Sequence, residues 1–82
     1  MNKVKVTGDL QLVRKLNKSI VFNFIKENGP ASRAEIAKQT SLNKATVSSL
    51  VEELMNENFV REIGAGKSSG GRRPVLLLFN GD

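Results

Sequence analysis

Residues 32–56, SRAEIAKQTSLNKATVSSLVEELMN, constrain the fold more than any other part of the chain. Their large apolar residues include Ile36, Leu42, Val47 and Leu50, with the small Ala37 beside Ile36 and polar residues filling most of the rest. That spacing fits two short helices crossing closely over a shared core. Ser32 followed by Glu35 makes a capping box, in which the hydroxyl serves the Glu35 backbone N–H and the carboxylate reaches back to the cap. The first helix therefore starts there. Thr40, Ser41 and Asn43 carry short polar side chains that bond to nearby backbone and compete with helix, so the first helix stops at this point and Asn43 caps the second.

With Leu42, Val47, Leu50, Val51 and Leu54 assigned to the buried side, the outer face of the second helix holds Lys44, Ala45, Thr46, Ser48, Ser49 and Glu52. Most of these are small, hydrogen-bonding or cationic. Near the positive dipole end of a helix such a face can approach a polyanion closely, because nothing bulky intervenes. In a helix-turn-helix this is the end that enters the major groove. The competing reading is the solvated face of an ordinary helix hairpin, and the pattern favours DNA.

At 82 residues the chain makes one domain. A chain of that size buries only about 60% of its unfolded surface or slightly more, so its stability is modest. Thirteen Lys and Arg against eight Asp and Glu give a net charge of +5, which favours an anionic partner such as nucleic acid. There is no cysteine, which rules out a disulfide framework and a thiolate zinc site, and there is no histidine. The usual general bases, thiol nucleophiles and transition-metal ligands are thus missing, so we assign no catalytic residue, metal site or cofactor and read the chain as a non-enzyme. The N-terminus lacks the apolar run of a signal peptide, and no apolar stretch approaches the length that spans a bilayer. We read the chain as soluble and cytoplasmic, with no membrane partner.

Residues 1–9 are short, polar and broken by Gly8, and read as a flexible arm. Lys3 and Lys5 could touch phosphates from it, but a loose terminus is the simpler reading. Along residues 10–28, Leu10, Val13, Leu16, Ile20, Val21, Phe24 and Ile25 recur at mainly three- and four-residue steps, so one stripe faces inward along a long helix with Asp9 as its cap. Gly29 and Pro30 end it, the glycine in a left-handed conformation and the proline blocking continuation. Arg14, Lys15, Lys18 and Lys26 lie off the stripe and read as solvated charges. Leu10 and Leu12 extend the apolar surface toward a partner subunit.

Residues 59–64 form a short strand candidate with Phe59, Val60 and Ile63 as apolar members. Residues 65–73, AGKSSGGRR, then contain no acid, no large apolar residue and three cations, and close at Pro74. The following VLLLF run, residues 75–79, has strand length. Two strands joined by a glycine-rich basic loop, directly after a helix-turn-helix, give the layout of a winged helix whose loop is the wing. Gly70 and Gly71 let its backbone approach a surface, while Arg72 and Arg73 supply guanidinium forks suited to a narrow minor groove. Lys67, Ser68 and Ser69 suit phosphates, which position a protein without reading sequence. The alternative is a hairpin tip with merely solvated arginines. VLLLF lacks the alternation of a strand with one wet face, so either it packs on the first helix with some exposure or a missing domain or second subunit covers it, and we favour a cover.

Residues 32–80 resemble the N-terminal DNA-binding region of bacterial ROK-family repressors, and within that family are most like the xylose-operon repressors. SSGGRRPVLL, residues 68–77, is the most specific match, and LNKATVSSLV, residues 42–51, the next. The resemblance extends from about Leu10 to Asn80. It implies a winged helix-turn-helix that binds operator DNA within a symmetric oligomer, and a C-terminal sugar-kinase-like domain that senses a sugar. That domain would begin where this chain ends, so the resemblance implies a fragment or an isolated module, and no residue of an effector site or kinase motif is present. By resemblance, residues 43–49 are the operator-reading helix and residues 70–73 the wing or hook. Ser41 stands where glycine is common in the turn, and serine fits there if the backbone is less left-handed.

The sequence thus predicts an α+β winged helix-turn-helix over residues 10–80, with three helices followed by a two-stranded hairpin, acting as a transcriptional repressor on double-stranded operator DNA. The alternative is a winged-helix protein-interaction or dimerisation module. Thr46 and Ser48 or Ser49 are hydrogen-bonding candidates for base edges, Asn43 leads the reading helix, and Ala45 suits a thymine methyl. Arg33, Lys44, Lys67, Arg72 and Arg73 supply most of the electrostatic attraction, which makes binding steeply salt-dependent. Arg72→Ala combined with Arg73→Ala is expected to weaken binding and lower the logarithmic salt slope by about two, because two cations leave the contact set. An unchanged slope in an anisotropy titration counts against the wing.

Overall fold

The computed structural model describes residues 6–65 and 75–81. Its elements follow in the order α1 (Val6–Asn28), β1 (Ala31–Ser32), α2 (Arg33–Thr40), α3 (Lys44–Asn56), β2 (Val60–Ala65) and β3 (Val75–Phe79). Helices α2 and α3 form the helix-turn-helix, and β2 and β3 follow it as the strands of a wing.

Local chemistry sets the limits of α2 as the sequence indicates. The Glu35 N–H donates to Ser32 Oγ at 3.1 Å, and the Ser32 N–H donates to Glu35 Oε1 at 3.3 Å, closing both halves of the capping box. At the other end the Thr40 hydroxyl donates back to the Ile36 carbonyl at 2.7 Å. Ser41 then takes φ 63° and ψ 20°, which is fully left-handed rather than the relaxed backbone expected of a serine. The tight turn imposes that conformation at a cost of about 1–2 kcal/mol for a residue with a Cβ. Asn43 caps α3, its Oδ1 accepting from the Thr46 N–H at 2.8 Å.

The core joins every element. Val21 and Ile25 of α1, Ala31 of β1, Ile36 of α2, Val47, Leu50, Val51 and Leu54 of α3, Val60 of β2 and Leu77 of β3 are all buried. Each large aliphatic side chain in that set contributes about 1.5–3 kcal/mol by leaving water. Helix α3 supplies the most, because its residues 47, 50, 51 and 54 fall on one stripe.

Helix α1 departs from expectation at both ends. It begins at Val6, so Asp9 lies inside the helix and is not its cap. Gly8 costs such a helix only about 1 kcal/mol and does not break it. Only the C-terminal half of the apolar stripe is buried, whereas Leu10, Leu12, Val13, Leu16 and Ile20 range from 63% to 47% exposed. The cause is length. Twenty-three residues run about 34 Å, while the thirteen of α3 run about 20 Å, so α1 outreaches what the chain packs against it. At its end, Gly29 is not left-handed. It is required sterically, since a Cβ there would lie 2.6 Å from the Ile25 carbonyl oxygen and 3.2 Å from that of Leu77.

The sheet has three strands rather than two, in the order β1-β3-β2, all antiparallel. Ala31 pairs with Leu77 and Ser32 with Leu76, so VLLLF is the central strand. Leu77 is buried, Leu76, Leu78 and Phe79 are half-buried, and only Val75 is exposed. Phe79 meets Phe22 of α1 edge-on at 5.5 Å, Phe22 meets Phe59 at 5.5 Å, and the Lys26 ammonium lies 5.4 Å above the Phe79 ring. Neighbours within the chain therefore cover much of the run. A register shift between Ile63 and Ala65 marks a bulge at Gly64, where a strand glycine is common. Among the described residues, no helix is long and apolar enough to cross a membrane.

Two glycine exchanges separate the causes argued above. Ser41→Gly is expected to stabilise the fold by about 1 kcal/mol by relieving the left-handed turn. Gly29→Ala is expected to destabilise it by about 1–3 kcal/mol, since the new methyl must displace backbone. Denaturant midpoints measured at constant m-value give both numbers.

Candidate nucleic-acid interface

Once the buried stripe of α3 is fixed, helical geometry distributes its remaining side chains. Ala45, Ser49 and Glu52, spaced by four and three residues, form the outermost ridge, and all three are exposed. Lys44 and Ser48 lie along one edge of that ridge, Thr46 and Glu53 along the other. Thr46 and Ser48 are half-buried. Ser48 and Ser49, equivalent by composition, therefore point in directions about 100° apart. The first two turns are slim and carry one cation, whereas the acids Glu52 and Glu53 begin only in the third. Asn43 spends its side-chain oxygen on the cap.

Lys44 shares a shallow cleft with Ser32, Arg33, Ala34 and Val75. Val75 opens β3, so the start of α2, the start of α3 and the root of the basic loop converge there. Arg33 also donates to the Glu62 carboxylate on β2 at 3.0 Å, which fixes its position and offsets part of its charge. The remaining sequence-predicted contacts, Lys67, Ser68, Ser69, Gly70, Gly71, Arg72 and Arg73, lie outside the described residues.

On the other edge the structure adds residues that the sequence reading left as solvated charges. Arg14 of α1 pairs with Glu53 of α3, its Nε donating to Oε2 at 3.0 Å, and its Nη2 also donates to Ser49 Oγ at 2.9 Å. Lys18 bridges Glu53 at 3.2 Å and Glu57 at 2.9 Å. A signal for this was present. Arg14 and Lys18 are four apart on one helix, and Glu53 and Glu57 are four apart on the other, so matched charges face each other when the helices pack. The Arg14 guanidinium, with Lys18 behind it, holds the Glu53 carboxyl below the usual carboxylate range. Glu57 first, and then Glu53, raise the Lys18 ammonium above its ordinary value.

Comparison with known proteins fits this geometry. The sequence pattern of the MarR family matches residues 14–73. The chain is 54% identical over 73 residues to the xylose repressor of Bacillus spizizenii, covering 89% of this chain and 19% of that protein. It is 34% identical over 71 residues to the N-acetylglucosamine repressor of Escherichia coli O157:H7, covering 87% of this chain and 18% of that protein. The chain thus spans about a fifth of the length of these relatives. Among solved structures, a ROK family transcriptional regulator described as a homolog of the E. coli MLC protein superposes with a TM-score of 0.67. That match has 24% identity and covers 83% of this chain and 17% of the other.

The ion pairs between α1 and α3 predict a pH signature. Because the Glu53 pKa is lowered on folding, its stabilisation is full above the ordinary carboxylate range and is lost as pH falls through the lowered value. The Lys18 pKa is raised, so its contribution is full below the ordinary lysine value and is lost as pH rises through the raised one. Melting curves of wild type and Glu53→Gln are expected to differ most near neutral pH and to converge in acid. A gap that stays constant into acid contradicts the assignment.

Proposed function

The chain belongs to the MarR family, and from that premise we propose that it is the operator-reading module of a transcriptional repressor controlling a sugar-utilisation operon. The observation that carries the reading is the outward ridge of α3. Ala45 and Ser49 leave its first two turns slim enough to enter a major groove, and Lys44 stands beside the root of the basic loop. Acidic side chains are kept from this end, and the carboxylates farther along α3 on the α1 side are paired by Arg14 and Lys18.

The names of the relatives point the same way, and the xylose repressors among them make xylose the sugar we assign. The sugar would act through a region beyond the fifth of the relatives that this chain spans. In this reading the module is a non-enzymatic regulator that works in the cytoplasm, on double-stranded DNA, as part of a homo-oligomer. The second reading, a dimerisation module, draws on the exposed Leu12, Val13, Leu16 and Ile20. These residues sit on α1 and leave the α3 ridge free, so we assign them to contact with a second subunit in addition to DNA.

Footprinting on the duplex flanking the protein's own gene tests the reading, and a uniform cleavage pattern at moderate salt overturns it. Lys44→Ala is expected to weaken binding across all sequences and lower the salt slope by about one. Thr46→Ala is expected instead to change the ranking of operator variants more than the mean affinity, as measured by anisotropy on single-substitution duplexes.

A further inference from the structure

Building on the operator-reading assignment, we infer that Arg14, outside the helix-turn-helix, is a positioning residue that fixes the Ser49 hydroxyl as a hydrogen-bond donor toward the DNA bases. The chemistry follows from three side chains. Glu53, one turn beyond Ser49 on α3, holds the Arg14 guanidinium through Nε at 3.0 Å and through Nη2. Lys18 braces the same carboxylate from α1 at 3.2 Å. So anchored, Arg14 Nη2 donates to Ser49 Oγ at 2.9 Å.

A guanidinium has only donors, whereas a serine hydroxyl has one proton and two lone pairs. The contact therefore consumes acceptor capacity of Ser49 and leaves its proton to be given elsewhere. A helical serine or threonine commonly gives that proton to the carbonyl four residues back, as Thr40 does to Ile36. Among the described residues Ser49 makes no such bond, and it lies exposed on the ridge next to Ala45. The proton is directed outward.

A donor at that point can give its proton to purine N7, guanine O6 or thymine O4 on the contacted strand. It disfavours cytosine, whose major-groove edge presents the N4 amino donor, because the guanidinium occupies one lone pair of Ser49 and its charge weakens the other as an acceptor. Without Arg14 the hydroxyl can turn and accept from that amino group, and the discrimination disappears. Arg14 thereby adjusts specificity from a neighbouring helix without touching a base.

The test uses wild type, Ser49→Ala, Arg14→Ala, Arg14→Lys and the Ser49→Ala/Arg14→Ala double variant on a duplex DNA library with a randomised core, sequencing the bound fraction. Wild type is expected to disfavour cytosine at one position by about five- to tenfold, the worth of a single base-edge hydrogen bond. Both alanine variants are expected to bring that ratio within about twofold of unity, and the double variant to go no further, as for residues acting as a unit. Arg14→Lys retains a charge for Glu53 but lacks the fork that also reaches Ser49. It is expected to melt near wild type and lose the discrimination, which keeps the test decisive if Arg14→Ala is unfolded. Discrimination that survives in both Arg14 variants overturns the inference while leaving operator reading intact. A wild-type profile with no sequence preference overturns operator reading itself.

Discussion

Burial of one stripe of α3 is the constraint on which the rest of this structure depends. Val47, Leu50, Val51 and Leu54 are packed against α1, α2 and the sheet, and their removal from water fixes the rotation of the helix about its axis. A helix of thirteen residues has too little propensity of its own to hold a fixed face outward. Packing supplies that. Once the stripe is inside, Ala45, Ser49 and Glu52 must point out, and Lys44 must lie toward α2 and the wing root. The candidate interface is thus a by-product of core formation, with the Asn43 cap setting where the helix begins.

Charge is arranged on the same frame. The chain carries an excess of five positive charges, yet α3 contributes three of its eight acids if Glu57 at its end is included. Arg14 and Lys18 pair with Glu53 and Glu57, and Arg33 pairs with Glu62 on β2. These exposed pairs add little to stability. Their larger effect is on the surface field, because they offset negative charge close to the helix that would meet a polyanion.

Much of this was legible in the residue order. The capping box at Ser32, the Asn43 cap and the stripe of α3 all rest on spacings of a few residues, and local rules describe such interactions well. The readings that needed revision involve partners far apart in sequence. The buried length of α1 depends on how far other elements reach along it. Gly29 is constrained by the Leu77 carbonyl as well as by its own helix. VLLLF is the central strand because β1, of only two residues, pairs with it from the far side. A two-residue strand leaves no periodic signal.

What the sequence determined by itself is both ends of α2, the start of α3 and the order of the three helices and the two wing strands, together with a basic, cysteine- and histidine-free composition. Caps, turns and apolar spacing are encoded within one or two turns of chain, so reading them requires no knowledge of the fold. Only the tertiary structure decided which of two adjacent serines meets Arg14, which charges neutralise each other, and how much of α1 remains in water. Those outcomes depend on distances between residues some thirty-five to forty positions apart, which hydrophobic packing sets and linear order does not specify.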